Sequence, residues 1–433
     1  MEIFNPVIIS VGVLCTLCFL RVNVLLSVMI SAIVAGLVSK MPLGEIMNLF
    51  ISGMGQNSET ALSYILLGTL AAAMAHTGLT EIFSLNISKL IKDNKYILLF
   101  ILMIVAILSQ NLIPVHIAFI PILIPPLISL MNKMNLDRRA VATTLAFGLK
   151  APYISLPLGF GLIFQGLIAD NLTQNGLSIQ KTHVWHYSWI LGCSMFVAFL
   201  FAIFVSYRKE RHYKETNITQ FKRKNLKFKR RHFVVLFGAI LTLIIQLVSG
   251  SLPLGALVGL VVIFGFRAIS HRKMDILINE GVGLMGYIAF VMLVCAGYAV
   301  VLKETGAIEN LVNFIYPCIA SSKLFASIVM MSLGLIVTIG IGSSFGTIPI
   351  LAVLFVPLCA KLGFSEPSII VLLCAAAALG DAGSPASDTT LGPTAGLNVD
   401  GQHNHIKDTC IPTFLHYNIA LIIGAILAVM YFG

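Results

Sequence analysis

From end to end the chain is a succession of apolar runs of roughly 16 to 20 residues joined by short polar connections, and this pattern admits few folds. In hydrocarbon every backbone N–H and C=O must find a partner inside the protein, and an α-helix provides those partners within one segment. With 433 residues, 58% of them hydrophobic and only 11% charged, no soluble core needs so much apolar sequence. The expected fold is an all-α polytopic membrane protein with about 11–14 membrane segments at about 20 residues per span.

The net charge of +10 is concentrated between Tyr207 and His232. Eleven lysines and arginines stand there against Glu210 and Glu215, which divides the chain into an N-terminal membrane half (1–206), a basic linker (207–232) and a C-terminal membrane half (233–433). Beside two spans, such a run marks the cytoplasmic side rather than a nucleic-acid site. Counted backwards, the expected spans are Ser188–Ser206, a broken one within Ala140–Ala169, Pro114–Met131, Tyr96–Ile113, Ala61–Met74, Val24–Ser39 and Val7–Leu20. Forwards they are Phe233–Val248, Leu254–Phe266, Leu284–Val301, Leu324–Ile339, Phe345–Ala360, a broken one within Ser368–Thr394, and Pro412–Phe432. Arg21, Lys89, Lys92, Lys95, Lys133, Arg138, Arg139, Arg267, Arg272 and Lys273 then fall on the linker's side, and the amino terminus on the other. Met1–Asn5 has no basic n-region, so the first apolar run reads as a span and not as a cleavable signal.

The halves repeat. Gly53 and Gly78 recur as Gly281 and Gly306, each second glycine in a Thr-Gly-x-x-Glu string, Thr77–Glu81 and Thr305–Glu309. Further on, Gly148-Leu149-Lys150-Ala151-Pro152 parallels Gly380-Asp381-Ala382-Gly383-Ser384-Pro385. An odd number of spans per half inserts the halves in opposite senses, so inverted repeats are expected, with a midplane site between them and alternating access as the consequence.

Two stretches resist continuous helix at membrane depth. Gly380–Thr394 combines Gly383, Pro385, Gly392 and Pro393 with two aspartates and a row of hydroxyls, and an intramembrane carboxylate is costly unless it faces a partner or a cavity. Its counterpart, Gly148–Gly159, carries Lys150 together with Pro152 and Ser155. Lys150 could pair with Asp381 or Asp388, bind a substrate carboxylate, replace a coupling cation, or snorkel to the interface past Arg139. Asn111, with Ser109, Gln110 and His116, flanks Pro114 in the first half. Ser343 and Ser344, with Gly342 and Thr347, precede the second break. These small polar groups either line a site or permit close helix packing.

The eight cysteines lie mostly in apolar runs and read as small hydrophobes, Cys15-x-x-Cys18 included. His403 and His405, near Asp400 and Asp408, lack further ligands at metal spacing and read as a polar loop. An intramembrane enzyme holding Mg2+-diphosphate would need more clustered acids than two aspartates flanking a Ser-Pro turn, so no enzymatic activity and no cofactor is expected.

Gly380-Asp381 with Ser384-Pro385-x-Ser387-Asp388-Thr389-Thr390 resembles the GD…SPxSDTT signature of the Na+/H+ antiporter family within the ion transporter superfamily. The continuation Leu391–Leu397, Asp400–Ile406 and Asp408–Phe414 is similar to a branch described as histidine or amino-acid permeases. The resemblance implies a bacterial inner-membrane carrier driven by Na+ or H+, with Asp381, Ser384, Ser387, Asp388 and Thr389 as coupling-ion candidates. Substrate candidates are then Lys150, Pro152, Ser155, Asn111, Ser343 and Ser344. A fixed lysine facing the aspartates departs from a pure cation site and suits a carboxylate-bearing substrate. The expectation is therefore an amino-acid permease, with a Na+/H+ antiporter as the alternative. Its partners would be the amino acid, a monovalent cation and membrane lipid, and a homodimer is compatible.

Overall fold

A computed structural model describes residues 5–20, 22–79, 82, 94–111, 120–214, 228–249, 251–341, 343–385 and 387–433. Among these residues the secondary structure is helical throughout. In chain order the helices are α1 (Pro6–Phe19), α2 (Val24–Val38), α3 (Leu43–Met54), α4 (Ser58–Thr77), α5 (Lys95–Asn111), α6 (Arg138–Ser155), α7 (Phe160–Gln174) and α8 (Val184–Phe201). After the linker come α9 (Arg230–Ser249), α10 (Leu252–Gly265), α11 (Met274–Glu304), α12 (Ala307–Ile319), α13 (Lys323–Ile341), α14 (Ser344–Leu362), α15 (Glu366–Ala378), α16 (Asp388–Leu397) and α17 (Ile411–Phe432). Among the described residues five continuous stretches are long and apolar enough to cross a bilayer, a bent pair makes a sixth, and six shorter apolar helices join them, within the expected range. Two segments were not anticipated: α3, which runs on into α4, and the amphipathic α12. The expected span Pro114–Met131 lies partly outside the described residues; its remainder is three short helical turns, Ile120–Leu123, Pro125–Leu127 and Ile128–Lys133.

The duplication is visible in the backbone. Left-handed residues recur in pairs, Lys40 with Arg267, Gly78 with Gly306, and Asn135 with Gly363, at separations of 227, 228 and 228 residues. So do packing partners. α2 lies against α11 as α10 lies against α4, and α7 against α14 as α16 against the turn at Ile120–Leu123.

The α3–α4 stretch and α11 are equivalent elements, and they pack directly on each other. A Cβ at Gly53 would stand 2.8 Å from the Val300 side chain and 2.9 Å from Gly297 Cα, while Gly281 abuts Thr69. Gly281 is the counterpart of Gly53, and Gly297 that of Thr69, so one contact is made twice with the roles exchanged. Residues 53 to 69 run against 297 to 281. Equivalent helices that cross antiparallel place the two repeats in opposite orientations, and the small residues let the backbones approach as helices do where no aqueous hydrophobic effect drives them together.

Candidate functional site

The two broken helices meet at the centre of this arrangement. In the second half α15 ends at Leu379, and Gly380 turns the chain in the left-handed region (φ 76°), where a Cβ would lie 2.6 Å from the Ile339 amide nitrogen. Gly383 (φ 108°) passes just as closely against Phe414. The unwound backbone is satisfied by side chains, as irregular structure within a membrane requires. Asn418 of α17 accepts from Gly380 N at 2.9 Å and donates to Ala382 O at 2.8 Å. Thr390 Oγ1 donates to Ser384 O at 2.5 Å, and Ser387 caps α16 by accepting from Thr389 N at 3.1 Å. In the first half α6 and α7 meet at 47°. Pro152 sits in the last turn of α6, and Gly159 (φ 55°) opens α7.

Lys150 Nζ stands 2.6 Å from Asp381 Oδ2, with the two side chains only 1% and 9% exposed. This excludes the snorkelling alternative and selects Asp381 as a partner. Ser344 Oγ donates to the same oxygen at 2.6 Å, and Lys150 also donates to Ser344 Oγ at 3.2 Å. Tyr153 Oη lies 2.9 Å from Ser344 Oγ and 3.4 Å from Asp381 Oδ2. The other carboxylate oxygen, Oδ1, accepts from Ser387 Oγ at 2.5 Å. Thr389 Oγ1 is 2.8 Å from Ser387 Oγ and donates to the Asp381 carbonyl at 3.3 Å. The cluster stands at the N-terminus of α16, whose dipole favours negative charge there, although the Thr389, Thr390 and Leu391 amides are taken by Ser387. Three hydroxyls thus gather around the Asp381 carboxylate and carbonyl, with the Lys150 ammonium on Oδ2 and Ser387 and Thr389 on the other side.

Of the residues expected from sequence, Lys150, Ser344, Asp381, Ser387 and Thr389 are brought together, and Ser384 is buried beside them, its carbonyl held by Thr390. Three are not. Ser155 Oγ donates back to Ala151 O at 2.7 Å and packs on Gly192 of α8, because a serine near a helix end bonds the carbonyl one turn earlier. Pro152 shapes the end of α6, its carbonyl accepting from Leu156 N at 2.7 Å and not reaching the site. Ser343 caps α14 through Gly346 N at 3.4 Å. The side chains of Asn111 and Asp388 lie outside the described residues.

Sequence reasoning missed Tyr153 and Asn418. Tyr153 follows Lys150 by three positions and so shares its helical face. Asn418 is a lone amide inside the apolar run of α17, a signal of the same kind as the aspartates. Tyr153 also opens an aromatic cluster, its ring centroid 5.2 Å from Phe164 and 5.3 Å from Phe345, with Tyr64 5.6 Å beyond Phe345.

A second polar network lies on the face where the linker begins. Arg138, fully buried, donates to both oxygens of Asp400 at 2.6 and 2.5 Å, to Leu397 O at 3.0 Å and to Asn132 at 2.9 Å. Burial alone would raise the Asp400 carboxyl, but the Arg138 bonds outweigh it and hold it below its usual range. His403 lies in the polar loop expected, but buried within it. It is 1% exposed, bonded to Thr409 at 2.7 Å, and burial lowers it to about 4, so it stays neutral. His405 bonds Thr394 at 2.8 Å and the Pro385 carbonyl at 2.9 Å, touching the site loop itself.

The sequence matches the family model described as "Na+/H+ antiporter family" over residues 144–429, and a second, "Na+-H+ antiporter family", over residues 5–91. It is 46% identical to an uncharacterized membrane protein of Vibrio parahaemolyticus, covering 98% of this chain and 99% of that protein. It is 43% identical to YuiF of Bacillus subtilis, whose name proposes an amino acid transporter, covering 97% and 98%. Among solved structures the YdaH transporter of Alcanivorax borkumensis superposes with a TM-score of 0.62 at 12% identity, over 90% of this chain and 88% of that one. MtrF of Neisseria gonorrhoeae gives 0.61 at 13%, over 90% and 85%. At such identities these two speak for the fold alone.

Proposed function

This chain belongs to the Na+/H+ antiporter family of membrane transporters, and from that premise we propose that it is a cation-coupled amino-acid permease working by alternating access between two inverted repeats. The observation that carries the reading is the closed Lys150–Asp381 pair, a lysine of one repeat bonded to a carboxylate of the other among hydroxyls of the kind that bind a hard monovalent cation.

The pair supplies a reason for coupling. A Na+ or H+ arriving at Asp381 releases the Lys150 ammonium, and a substrate carboxylate arriving at Lys150 releases Asp381. Either event alone strands a buried charge, at a cost of about 3–5 kcal/mol by analogy with broken buried pairs. Both together leave each charge matched. Tyr153 and Ser344, bonded to both partners' surroundings, would hold the carboxylate and the cation at adjacent positions. The YuiF name supports the amino-acid substrate. The excess of lysine and arginine around the linker supports a cytoplasmic linker in a bacterial inner membrane.

Uptake of labelled amino acids into proteoliposomes under an imposed Na+ or H+ gradient, beside an internal pH dye, tests the reading. Gradient-driven accumulation that is lost in both Asp381→Asn and Lys150→Ala is the expected result. Accumulation indifferent to either gradient would mean that the substrate's own ammonium satisfies Asp381 and would sink the coupling argument. Na+-driven pH change with no amino acid moved would make the protein an antiporter, the reading its family name favours, and would leave Lys150 a surrogate cation only.

A further inference from the structure

The first residues of the linker do not leave the membrane domain. Arg208–Lys214 lies as a strap across the linker face and touches both repeats. On the first repeat, Arg211 N donates to Asn135 O at 3.0 Å and His212 Nδ1 meets Asn135 Oδ1 at 2.9 Å. The Tyr213 hydroxyl accepts from Arg138 N at 3.0 Å, serving an amide that the start of α6 leaves without a helical partner. On the second repeat, Arg211 Nη1 donates to Asp408 Oδ1 at 2.7 Å. Gln402 clasps the Lys214 backbone from both sides, accepting from its N–H at 2.8 Å and donating to its carbonyl at 2.9 Å. The Tyr213 ring lies 4.2 Å from the Arg138 guanidinium, and so covers the Arg138–Asp400 pair.

That pair joins the same two broken helices as Lys150 and Asp381. Arg138 begins α6, and Asp400 follows α16. α6 and α16 pack side by side, tied at the site by Lys150–Asp381 and at the linker face by Arg138–Asp400. No path from the site to the linker face can open between them while the second tie holds.

We propose that Arg138–Asp400 is the linker-face gate of the carrier and that the Arg208–Lys214 strap is its bolt, a segment of the chain that must lift before α6 and α16 part toward that face. A strap that adds a ring contact and six hydrogen bonds to the closed state alone biases the equilibrium toward it, since only differential contacts shift a two-state balance. The inference rests on the alternating-access reading. Its test needs no substrate, so its failure is separable from failure of the uptake assay.

Cys410 is a native reporter, 3% exposed and two residues beyond Asp408. Cys295, buried in α11 away from the gate, reports general loosening. In the full-length protein in nanodiscs, alkylation of both by N-ethylmaleimide would be followed by peptide mass spectrometry. Tyr213→Ala and Gln402→Ala should each raise the Cys410 rate by about tenfold, the population shift expected from losing a cation–π contact or a pair of hydrogen bonds from the closed state, with Cys295 unchanged. Tyr213→Phe, which keeps the ring over the guanidinium, should fall between. Cys410 rates unchanged in both alanine variants would overturn the proposal, as would a rise matched at Cys295.

Discussion

Asp381 is one side chain with two masters. Its carboxylate is stable at this depth only because Lys150, Ser344 and Ser387 answer both oxygens. Removing one charge is therefore worse than removing both. Asp381→Asn or Lys150→Ala should each destabilise the detergent-solubilised protein by about 3–5 kcal/mol, whereas the pair replaced together by apolar residues of similar size should be close to neutral. A thermal-aggregation series of the two single variants and the double variant checks this. Equal destabilisation of all three would mean that the pair is not coupled. At this scale the sequence was informative where a residue broke the rules of its surroundings. Asp381 and Lys150 were visible because charges are expensive in hydrocarbon. Arg138 was not, because an arginine beside other basic residues at an interface is ordinary, and Asp400 lies 262 positions away. Ser155 misled for the opposite reason: its hydroxyl was already committed to its own helix.

The elements that matter are the interruptions. Glycine announced both breaks, at Gly159 and at Gly380 and Gly383, whereas Gly392 and Pro393, expected to interrupt the helix too, lie inside α16; the repeat announced that the breaks correspond. What the sequence could not show is that the loop at Gly380–Ser387 is held from outside, by Asn418 and by the close approach of α13 and α17. Two glycines separate these effects. Gly380→Ala must strain a left-handed residue and drive a methyl group into the Ile339 backbone, whereas Gly401→Ala meets only the conformational strain, with open space around it. Gly401→Ala should cost about 1 kcal/mol and leave transport intact, as expected for a single residue in that region. Gly380→Ala should abolish transport and lower the yield of monodisperse protein. Gel-filtration profiles of the two variants beside uptake would show the difference, and a fully active Gly380→Ala would contradict the described loop.

For the whole molecule, the antiparallel crossing of α3–α4 with α11 turns a sequence repeat into two halves facing opposite ways. Each face carries a cleft of similar size: on the linker face one of about 600 Å3 lined by Asn94, Lys95, Lys133 and Glu210 of the strap among others, and on the far face, where Lys303 bonds Gln174 O at 3.0 Å, one of about 610 Å3 lined by Gln56, Asp170, Gln174 and Lys181 among others.

The Lys150–Asp381 pair, finally, adds no net charge to the site when nothing is bound. Moving one elementary charge through 100 mV is worth about 2.3 kcal/mol, so a neutral pair crosses the field unaided and unopposed. The return of the unloaded carrier should therefore be blind to voltage, and the electrical work of the cycle should fall on the loaded step, where a zwitterion and a cation add one positive charge. Currents recorded on a solid-supported membrane would show it: steady current during net uptake, with a rate that stops responding to voltage once the unloaded return is made limiting. In Lys150→Ala, whose net uptake is lost, the empty carrier would move the uncompensated aspartate, and its transient currents without substrate should become voltage-dependent. A lysine fixed in the protein would then act as the carrier's own counter-ion, present on every empty return and never released to either side.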